Sequence, residues 1–340
     1  MANNNRPAAL RVVITGASSG IGAATAMAFA RQGARLVLGA RGKEGLSDVA
    51  GRCRAAGGEA EIGVVDVTDA KAVAGFAADA HDALGGIDLW FSDVGIGVVG
   101  KYLDVPIEDH HRVIESNLVS HMNEAHAVLP IFLAQRHGIW VNMISAGGFV
   151  TAPYAAAYAA SKFGLRGFSE ALRGELHGHP DIHICDVYPT FVDTPGVEHA
   201  GNYTGARLTY PPGALRPEQV ADAVVALARQ PRNSTAVGAP TLLLKLGELA
   251  NPLAGLLMGR FLDGWTRKNA GTAKDTRGTI YTPPATPSGL TSSGQSGTAG
   301  KGTGSGKALA IAAAALGVAV GVQLARRDSQ RTQGQAGTRP

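Results

Sequence analysis

A tyrosine and a lysine, Tyr158 and Lys162, stand four residues apart, and Ser145 lies thirteen residues before the tyrosine. Residues at i and i+4 of a helix share one face. Residues 154–177 contain no proline and are rich in helix formers, so they are predicted to form that helix. A phenol has a pKa of about 10, and a nearby ammonium lowers it by favouring the phenolate. The spacing therefore predicts acid-base chemistry at Tyr158, assisted by Lys162.

A glycine-rich turn lies near the start of the chain, at Thr15-Gly16-Ala17-Ser18-Ser19-Gly20-Ile21-Gly22. A strand-like apolar run, residues 10–15, precedes it, and a helical pattern, residues 21–32, follows it. A turn between a strand and a helix presents backbone N–H groups and the helix dipole to a pyrophosphate, and glycines let the backbone approach closely. The pattern therefore predicts a dinucleotide-binding site.

The end of the second predicted strand indicates which dinucleotide is bound. An acid there would bind a ribose 2′-OH and repel a 2′-phosphate. The strand instead ends in Ala40-Arg41, and a guanidinium suits a phosphate. NADP(H) is therefore predicted in preference to NAD(H). Asp66, after the third strand, is predicted to meet the adenine edge; the alternative is an N-cap for the helix that begins near Asp69.

Apolar β-branched runs alternate with helical patterns along the chain. The predicted strands are residues 10–15, 34–40, 60–65, 87–92, 139–144, 183–187 and 235–237. The predicted helices are residues 21–32, 44–56, 70–84, 108–136 and 154–177. Continuous apolar strands separated by helices indicate a parallel sheet that is covered on both faces. The predicted fold class is α/β, a doubly wound Rossmann fold with about seven central strands.

These motifs, with Asp66, Asn117 and residues 189–194, resemble those of the short-chain dehydrogenase/reductase family over about residues 10–229. The spacing of the three glycines is similar to that of the compact single-domain branch, rather than the extended branch of sugar epimerases. The resemblance implies an oxidoreductase that moves a hydride between a nicotinamide and a carbonyl or secondary alcohol, and a homo-oligomer.

The resemblance also implies roles for individual residues. Tyr158 would donate or accept the proton, while Lys162 would lower its pKa and bind the nicotinamide ribose. Ser145 would hydrogen-bond the substrate oxygen, and Asn117 would hold a water that relays protons toward the lysine. The expected cofactor-binding residues are Gly16, Ser18, Ser19, Gly20, Ile21, Gly22, Arg41, Asp66, Val67, Gly95, Tyr158, Lys162, Pro189, Val192 and Thr194.

Two positions depart from the family pattern. The family often has Asn-Asn-Ala-Gly after the fourth strand, where this chain has Ser92-Asp93-Val94-Gly95. Asp93 can accept backbone hydrogen bonds but cannot donate through an amide, so the local brace of the strand is expected to differ. The usual Pro-Gly after the sixth strand is Pro189-Thr190, and threonine tolerates unusual backbone angles less well than glycine. The nicotinamide contacts of Val192 and Thr194 are nevertheless expected to survive.

The net charge of +4 and a pI near 9.1 raise the question of nucleic-acid binding. Much of the excess lies in the last fifteen residues, and the body has no basic stripe with interleaved aromatic residues, so no nucleic-acid partner is predicted. Cys53 and Cys185 are predicted to be free thiols in a reducing, cytoplasmic compartment. The polar residues 1–7 predict no secretory signal. His110-His111 and His177-x-His179 lack a carboxylate or cysteine cluster, so no metal is predicted.

Composition divides the chain into a catalytic domain, a linker and an appendage. Residues 8–266 are predicted to form the domain and residues 267–307, rich in Gly, Ser, Thr and Pro, a flexible linker. Residues 308–325 are 18 uncharged residues, a length that just spans a hydrocarbon core of about 30 Å, although alanine and glycine favour insertion weakly. Two alternatives stay open for them, a membrane anchor or a soluble or surface-lying helix. Residues 326–340 are predicted to be a basic disordered tail.

The substrate is expected to be a fairly apolar carbonyl compound or alcohol. Residues 196–212 lie where the family keeps a substrate lid, and with Ile96, Phe149, Val150 and Tyr154 they suggest an apolar pocket. The run of residues 242–262 is expected to pack over that pocket, with a subunit contact or a membrane contact as alternatives. Two other functions stay open. A non-catalytic dinucleotide sensor or scaffold would be expected to lack Tyr158 or Lys162, and the glycine spacing argues against a related epimerase or dehydratase.

Overall fold

A computed structural model describes residues 9–208, 210, 213–240, 244–245, 247–248, 251–284 and 286–292. The apolar run 308–325, the basic tail 326–340 and the last part of the predicted linker, residues 293–307, lie outside the described residues. No helix in the described part of the chain combines the length and the apolar character that crossing a membrane requires.

Seven parallel strands form the central sheet. Their bounds are β1 Arg11–Thr15, β2 Arg35–Ala40, β3 Glu59–Val64, β4 Leu89–Ser92, β6 Gly138–Met143, β7 Ile182–Pro189 and β9 Ser234–Val237. Across the sheet they follow the order β3-β2-β1-β4-β6-β7-β9. Two short strands, β5 Val98–Val99 and β8 Gly201–Asn202, form a separate parallel pair. The predicted parallel sheet is confirmed.

Helices cover both faces of the sheet. Their bounds are α1 Gly20–Ala30, α2 Lys43–Ala55, α3 Ala70–Leu84, α4 Ile107–Ile114, α5 Ser120–Gln135, α6 Ala156–Glu175, α7 Gly196–His199, α8 Pro217–Leu227 and α9 Asn251–Lys268. Side chains alternate between the faces along each strand. In β1, Val12 and Ile14 belong to one core cluster with Phe29 of α1, whereas Val13 belongs to the other with Phe132 of α5. The doubly wound Rossmann architecture is thus confirmed.

The centre of the sheet brings the glycine-rich turn next to the loop that follows β4. Strands β1 and β4 are neighbours, and Thr15 is in register with Ser92. The chain leaves β1 for β2 on one side of this point, and β4 continues the sheet on the other side. Ligands of open α/β sheets bind outside the carboxyl ends of the strands at such a switch point.

The long helix predicted for residues 108–136 is interrupted. It consists of α4, a π-helical turn at Glu115–Val119 and α5. Asn117 is fully buried inside the turn. A π-helical turn inside an α-helix inserts one residue and is frequent at functional sites.

The predicted linker of residues 267–307 begins inside α9, and its described part does not stand clear of the domain. Ile280 is fully buried, Thr276 forms an antiparallel bridge with Asn202, and the hydroxyl of Ser292 donates to Asp193 at 2.7 Å. The prediction therefore differs from the structure for residues 267–292. The segment has few apolar residues, so its composition indicated a linker. A few side chains and backbone hydrogen bonds are nevertheless enough to attach it to the domain.

Candidate active site

Backbone packing explains the glycines of the turn after β1. Gly16 has a φ of +72°, and a Cβ at this position would lie 2.6 Å from the carbonyl oxygen of Asp93. A Cβ on Gly22 would collide with the carbonyl group of Gly16. Ser19 is the N-cap residue of α1, yet its side chain makes no capping hydrogen bond. The turn thus holds the amino end of α1 against the loop after β4, a cradle that fits a pyrophosphate.

Arg41 and Asp66 lie at the ends of β2 and β3. The Nη1 atom of Arg41 donates to the carbonyl of Tyr281 at 2.9 Å, and burial lowers the pKa of this guanidinium. The Oδ1 atom of Asp66 accepts from the backbone N–H of Thr68 at 3.0 Å and from its hydroxyl at 2.7 Å. The N-cap of α3 is Asp69, so the alternative for Asp66, that it caps this helix, is wrong.

Ser145, Tyr158 and Lys162 meet at the carboxyl end of β6. The Ser145 hydroxyl hydrogen-bonds with Tyr158, and its oxygen accepts from the N–H of Gly147 at 3.1 Å. Ser145 has a φ of +113°, a value that costs a non-glycine residue energy and that is typical of functional sites. The Nζ atom of Lys162 lies 5.7 Å from the ring centroid of Tyr158 and donates to the carbonyl of Met143 at 3.0 Å.

The acidities of the tyrosine and the lysine are governed by burial. Burial raises the pKa of Tyr158, and the hydrogen bond from Ser145 opposes this rise. Burial also lowers the pKa of Lys162 to about 8, against the attraction of Asp93. The expectation that Lys162 lowers the pKa of Tyr158 stays a prediction, because the raised pKa of Tyr158 reflects its burial. Burial disfavours the charged phenolate and the charged ammonium alike.

Asn117 connects the π-helical turn to the tyrosine. Its amide donates to the carbonyl of Ile96 at 2.9 Å and to the hydroxyl of Ser161 at 3.3 Å. Ser161 in turn donates to the carbonyl of Tyr158 at 2.7 Å. A Cβ on Gly95 would lie 3.7 Å from Oδ1 of Asn117 and 3.8 Å from Nζ of Lys162. The structure thus brings Asn117 and Lys162 together beside Gly95, with Tyr158 and Ser145 adjoining Lys162.

A family model for short chain dehydrogenases matches residues 11–203. The chain belongs to the short-chain dehydrogenase family. It is 29% identical over 260 residues to an uncharacterized oxidoreductase of Bacillus subtilis, YxnA, covering 74% of this chain and 72% of that one. Membership in this family makes the protein an oxidoreductase.

Solved structures of short-chain dehydrogenases share the fold. A metagenomic short-chain oxidoreductase in complex with NADP superposes with a TM-score of 0.57 at 31% identity, over 67% of this chain and 96% of that one. A short chain dehydrogenase/reductase from Burkholderia phymatum in complex with NAD superposes with a TM-score of 0.64 at 24% identity, over 73% of this chain and 95% of that one, a likeness of fold alone.

The two departures from the short-chain dehydrogenase pattern are accommodated locally. The Asp93 carboxylate accepts a backbone hydrogen bond from Gly22, and burial raises its pKa against the pull of Lys162. Positive φ at non-glycine positions occurs, within the described residues, at Arg136, Ser145 and Tyr154. Thr190 therefore has no need of glycine, and its N–H donates to Val237 at 3.0 Å.

The remaining residues expected at the cofactor lie along the same edge of the sheet. Pro189 ends β7 in register with Val237, and buried Val192 pairs with Leu215. The N–H of Thr194 lies 3.4 Å from the hydroxyl of Tyr210, which donates to the carbonyl of Thr194 at 2.8 Å.

On the opposite side of the turn, Ile21 packs against the core and Ser18 faces Gly45. Val67 is buried, and its carbonyl accepts from Asn123 at 3.1 Å.

Arg112, which lies next to Asp66, is a residue that sequence reasoning missed. Its Nη2 atom lies 3.6 Å from the Asp66 carboxylate, and its Nη1 donates to Thr68 at 3.2 Å and to Glu115 at 2.7 Å. It therefore stands beside Arg41, and the two guanidinium groups repel each other. A lone arginine on an amphipathic helix gives no signal in the sequence.

A buried carboxyl group beneath the site was also missed. Glu124 accepts hydrogen bonds from Thr15 and Trp90, both at 2.7 Å, and from Ser92 at 3.0 Å. Burial raises its pKa to about 7.

His121 completes this network one turn earlier. Its Nδ1 lies 2.9 Å from the Ser92 hydroxyl and 2.8 Å from Oδ1 of Asn142, and burial lowers its pKa to about 4. A signal for these residues exists, because Asn117, His121 and Glu124 stand at i, i+4 and i+7 and so share one helix face.

Residues expected to line an apolar substrate pocket, and the helix α9, which begins within the run of residues 242–262, also form aromatic and polar contacts. Ile96 packs beside Tyr158, but Phe149 is buried against Tyr188 with ring centroids 4.7 Å apart. The Tyr154 hydroxyl donates to Asp263 at 2.6 Å and ties α9 to the site.

The histidine pairs form ordinary local contacts. His110 stacks on Tyr102 with ring centroids 4.5 Å apart, and His177 contacts the carbonyl of Gly174 at 3.0 Å. Within the described residues, no three His, Cys, Asp or Glu side chains cluster as metal ligands would.

Proposed function

We propose that the protein is an NADP(H)-dependent oxidoreductase that interconverts a carbonyl and a secondary alcohol. The cluster of Ser145, Tyr158 and Lys162, which meets Asn117 at Gly95 next to the glycine-rich turn, carries the proposal. A nicotinamide bound there supplies or accepts the hydride. The chain's own residues supply the proton and stabilise the developing charge.

Tyr158 is the acid in carbonyl reduction and the base in alcohol oxidation. Because burial raises its pKa, the phenol keeps its proton at neutral pH and is ready to donate it to a carbonyl oxygen. Ser145 hydrogen-bonds the same phenol, so a substrate oxygen that meets Tyr158 also lies within reach of the serine. Lys162 is held on the Met143 carbonyl and supplies positive charge near the phenol.

Arg41 supports a preference for NADP(H). Its guanidinium group lies where the second strand ends, at the expected adenosine end of the groove, and its hydrogen-bond acceptors are neutral carbonyls. It can therefore donate its remaining N–H groups to a 2′-phosphate through charge-assisted hydrogen bonds. Arg112, which lies beside it, is paired with Asp66 and Glu115. The NADP complex of the 31% identical metagenomic oxidoreductase agrees with this proposal.

The surroundings of Tyr158 support an apolar substrate. Ile96 and Tyr203 pack in the cluster that contains Tyr158, whereas the lid residue Tyr210 turns its hydroxyl to the backbone of Thr194. We also propose a cytoplasmic location, because Cys53 and Cys185 are free, buried thiols whose pKa values burial raises to about 11.

Turnover by the purified full chain tests the proposal. Carbonyl compounds and secondary alcohols are screened by the absorbance of NADPH, and the substrate found is then used with Tyr158→Phe. We expect kcat to fall by about 100-fold or more, since the general acid is lost, while NADPH affinity stays within about twofold. Tyr102→Phe is the matched control, because Tyr102 is exposed and stacks on His110. Undiminished turnover in Tyr158→Phe would refute the assigned role.

A further inference from the structure

The chain beyond α9 returns past the carboxyl ends of the strands. We call this segment, residues 276–284 and 286–292, the C-terminal strap. Its first residue, Thr276, exchanges two backbone hydrogen bonds with Asn202, at 2.8 and 3.0 Å. The N–H of Thr279 then donates to the carbonyl of His199 at 2.9 Å. The strap thus starts from the end of α7 and from β8.

Two anchors hold the first half of the strap. Ile280 is fully buried in a cluster with Val98, Val105 and Val113. The second anchor is Asp109, whose fully buried carboxylate accepts from the Tyr281 hydroxyl at 2.8 Å and lies 3.4 Å from Nε of Arg277. A buried carboxylate is costly unless it is paired. The strap supplies part of that pairing through Tyr281 and Arg277, so this contact stabilises the seated strap.

At residues 279–281 the backbone of the strap contacts the two arginines at the expected adenosine end. The carbonyls of Thr279 and Tyr281 accept from Nη2 and Nη1 of Arg41 at 3.3 and 2.9 Å. The carbonyl of Ile280, between them, accepts from Nε of Arg112 at 3.3 Å. Neutral carbonyls orient a guanidinium without cancelling its charge, and each guanidinium carries five N–H donors. The remaining donors of Arg41 can still bind an anion, whereas Arg112 is already paired with the carboxylates of Asp66 and Glu115.

The second half of the strap crosses to the opposite rim. Pro283 lies beside Gly42: a Cβ built on Gly42 would be 3.4 Å from the Cβ of Pro283. The carbonyl of Gly289 accepts from the N–H of Gly20, in the glycine-rich turn, at 3.3 Å. At the end of the strap, the Ser292 hydroxyl donates at 2.7 Å to Asp193. Asp193 lies between two residues expected at the nicotinamide, Val192 and Thr194.

The floor of the groove stays accessible beneath these contacts. Gly95, beside Lys162 and Asn117, is exposed. The strap therefore contacts both rims of the groove, while Gly95 on its floor stays exposed.

We propose that the C-terminal strap is the outer wall of the dinucleotide site, and that it positions Arg41 for the 2′-phosphate of NADP(H). The inference deepens the proposed function and rests on it. Preorganised donors lose less freedom on binding, and a closed cover slows release. Strap seating therefore determines both the preference for the 2′-phosphate and the rate at which the dinucleotide leaves.

Hydrogen exchange of the full chain with and without NADPH tests whether the strap closes on the ligand. We expect the amides of residues 276–292 to become more protected from exchange when NADPH is bound. With NADH we expect a smaller gain of protection. Reduced protection would show that NADPH displaces the strap, and unchanged protection would show that the two are not coupled. Either result overturns the inference.

The variant Ile280→Ala tests the energetic link, because it removes the apolar anchor and leaves every strap carbonyl in place. NADPH and NADH binding are followed by fluorescence in stopped flow. We expect NADPH dissociation to accelerate by about tenfold and the preference for NADPH over NADH to fall by about fivefold. Ile182→Ala is the matched control, since Ile182 is also apolar and buried but begins β7 and belongs to a different core cluster.

The outcomes separate the two proposals. Wild-type protein that binds neither NADPH nor NADH would refute the proposed function and the strap with it. Wild-type protein that binds NADPH, with unchanged dissociation and preference in a folded Ile280→Ala, would refute the strap alone. Tighter NADPH binding by Ile280→Ala would show that the strap competes with the dinucleotide, which also overturns the inference. Thermal unfolding of both variants verifies that they are folded.

Discussion

Asn117 holds the backbone of Ile96 from both sides. Its Oδ1 accepts from the N–H of Ile96 at 2.8 Å, and its Nδ2 donates to the carbonyl of the same residue at 2.9 Å. This pairing fixes the loop after β4 to the π-helical turn, close to Lys162. The side chain of Asn117 therefore positions the loop on which the expected cofactor contact at Gly95 lies, in addition to any role in proton relay.

Replacing Asn117 by alanine is expected to reduce both stability and turnover. Two partly buried backbone groups of Ile96 lose their partner, which lowers the free energy of unfolding by about 1–3 kcal/mol. Because the loop beside Lys162 is released, kcat is expected to fall by about tenfold or more. Urea unfolding and steady-state kinetics measure the two effects.

The chain offers a matched control for this change. Gln135 forms the same two hydrogen bonds with Ile87, both at 2.8 Å, at the other end of the sheet. Gln135→Ala is expected to lower stability while leaving kcat unchanged. Equal losses of kcat in the two variants would contradict a positioning role for Asn117.

Glu124 and His121 are expected to make stability depend on pH in opposite senses. The pKa of Glu124 is raised from 4.5 to about 7, so its contribution to stability is full below pH 4.5 and is lost as the pH rises to about 7. The pKa of His121 is lowered from 6.5 to about 4, so its contribution is full above pH 6.5 and is lost as the pH falls. In the wild type the two slopes offset each other where the ranges overlap.

Glu124→Gln is expected to remove one slope and expose the other. The difference in unfolding free energy between wild type and variant should change by about 3 kcal/mol between pH 4.5 and pH 7, since one pKa unit corresponds to about 1.4 kcal/mol. Urea unfolding at a series of pH values measures this difference. Glu170→Gln, at an exposed carboxylate, is the control. Parallel curves for wild type and Glu124→Gln would show that Glu124 does not titrate in this range.

Arg41 is expected to determine the cofactor preference. Arg41→Ala removes charge-assisted donors to the 2′-phosphate, which is expected to raise the KM for NADPH by about 10- to 100-fold and to leave the KM for NADH unchanged. Kinetics with both cofactors measure the ratio. Arg52→Ala, which removes a guanidinium exposed on α2 and paired with Asp48, should change neither value. A parallel rise for both cofactors would point to a structural role for Arg41.

Local sequence patterns predicted the sheet, its covering helices and the positions of Tyr158, Lys162 and Ser145. Strand and helix periods depend on neighbouring residues, and i,i+4 spacing survives into the structure unchanged. The family resemblance added Asn117, whose place in a π-helical turn has no local signature.

The features that could not be predicted depend on burial and on distant partners. The rise in the pKa of Tyr158 follows from desolvation, which the neighbouring lysine in the sequence does not reveal. The packing of Ile280 depends on Val98 and Val113, more than 160 residues away along the chain. A composition of glycine, serine, threonine and proline therefore indicated a linker where the structure has a strap.

Gly16→Ala is expected to cost more than its backbone angle alone explains. Gly33 has nearly the same conformation, with φ of +75° against +72°, but no described atom lies within 4 Å of a Cβ built there. Gly33→Ala thus measures the conformational cost alone, about 1 kcal/mol. In Gly16→Ala the added methyl also meets the Asp93 carbonyl at 2.6 Å, so the loss should reach about 3 kcal/mol. Because the clash pushes the turn away from the β4 loop, NADPH affinity should fall in Gly16→Ala and stay unchanged in Gly33→Ala. Equal stability and equal NADPH affinity in the two variants, measured by urea unfolding and fluorescence titration, would show that the turn tolerates the methyl group.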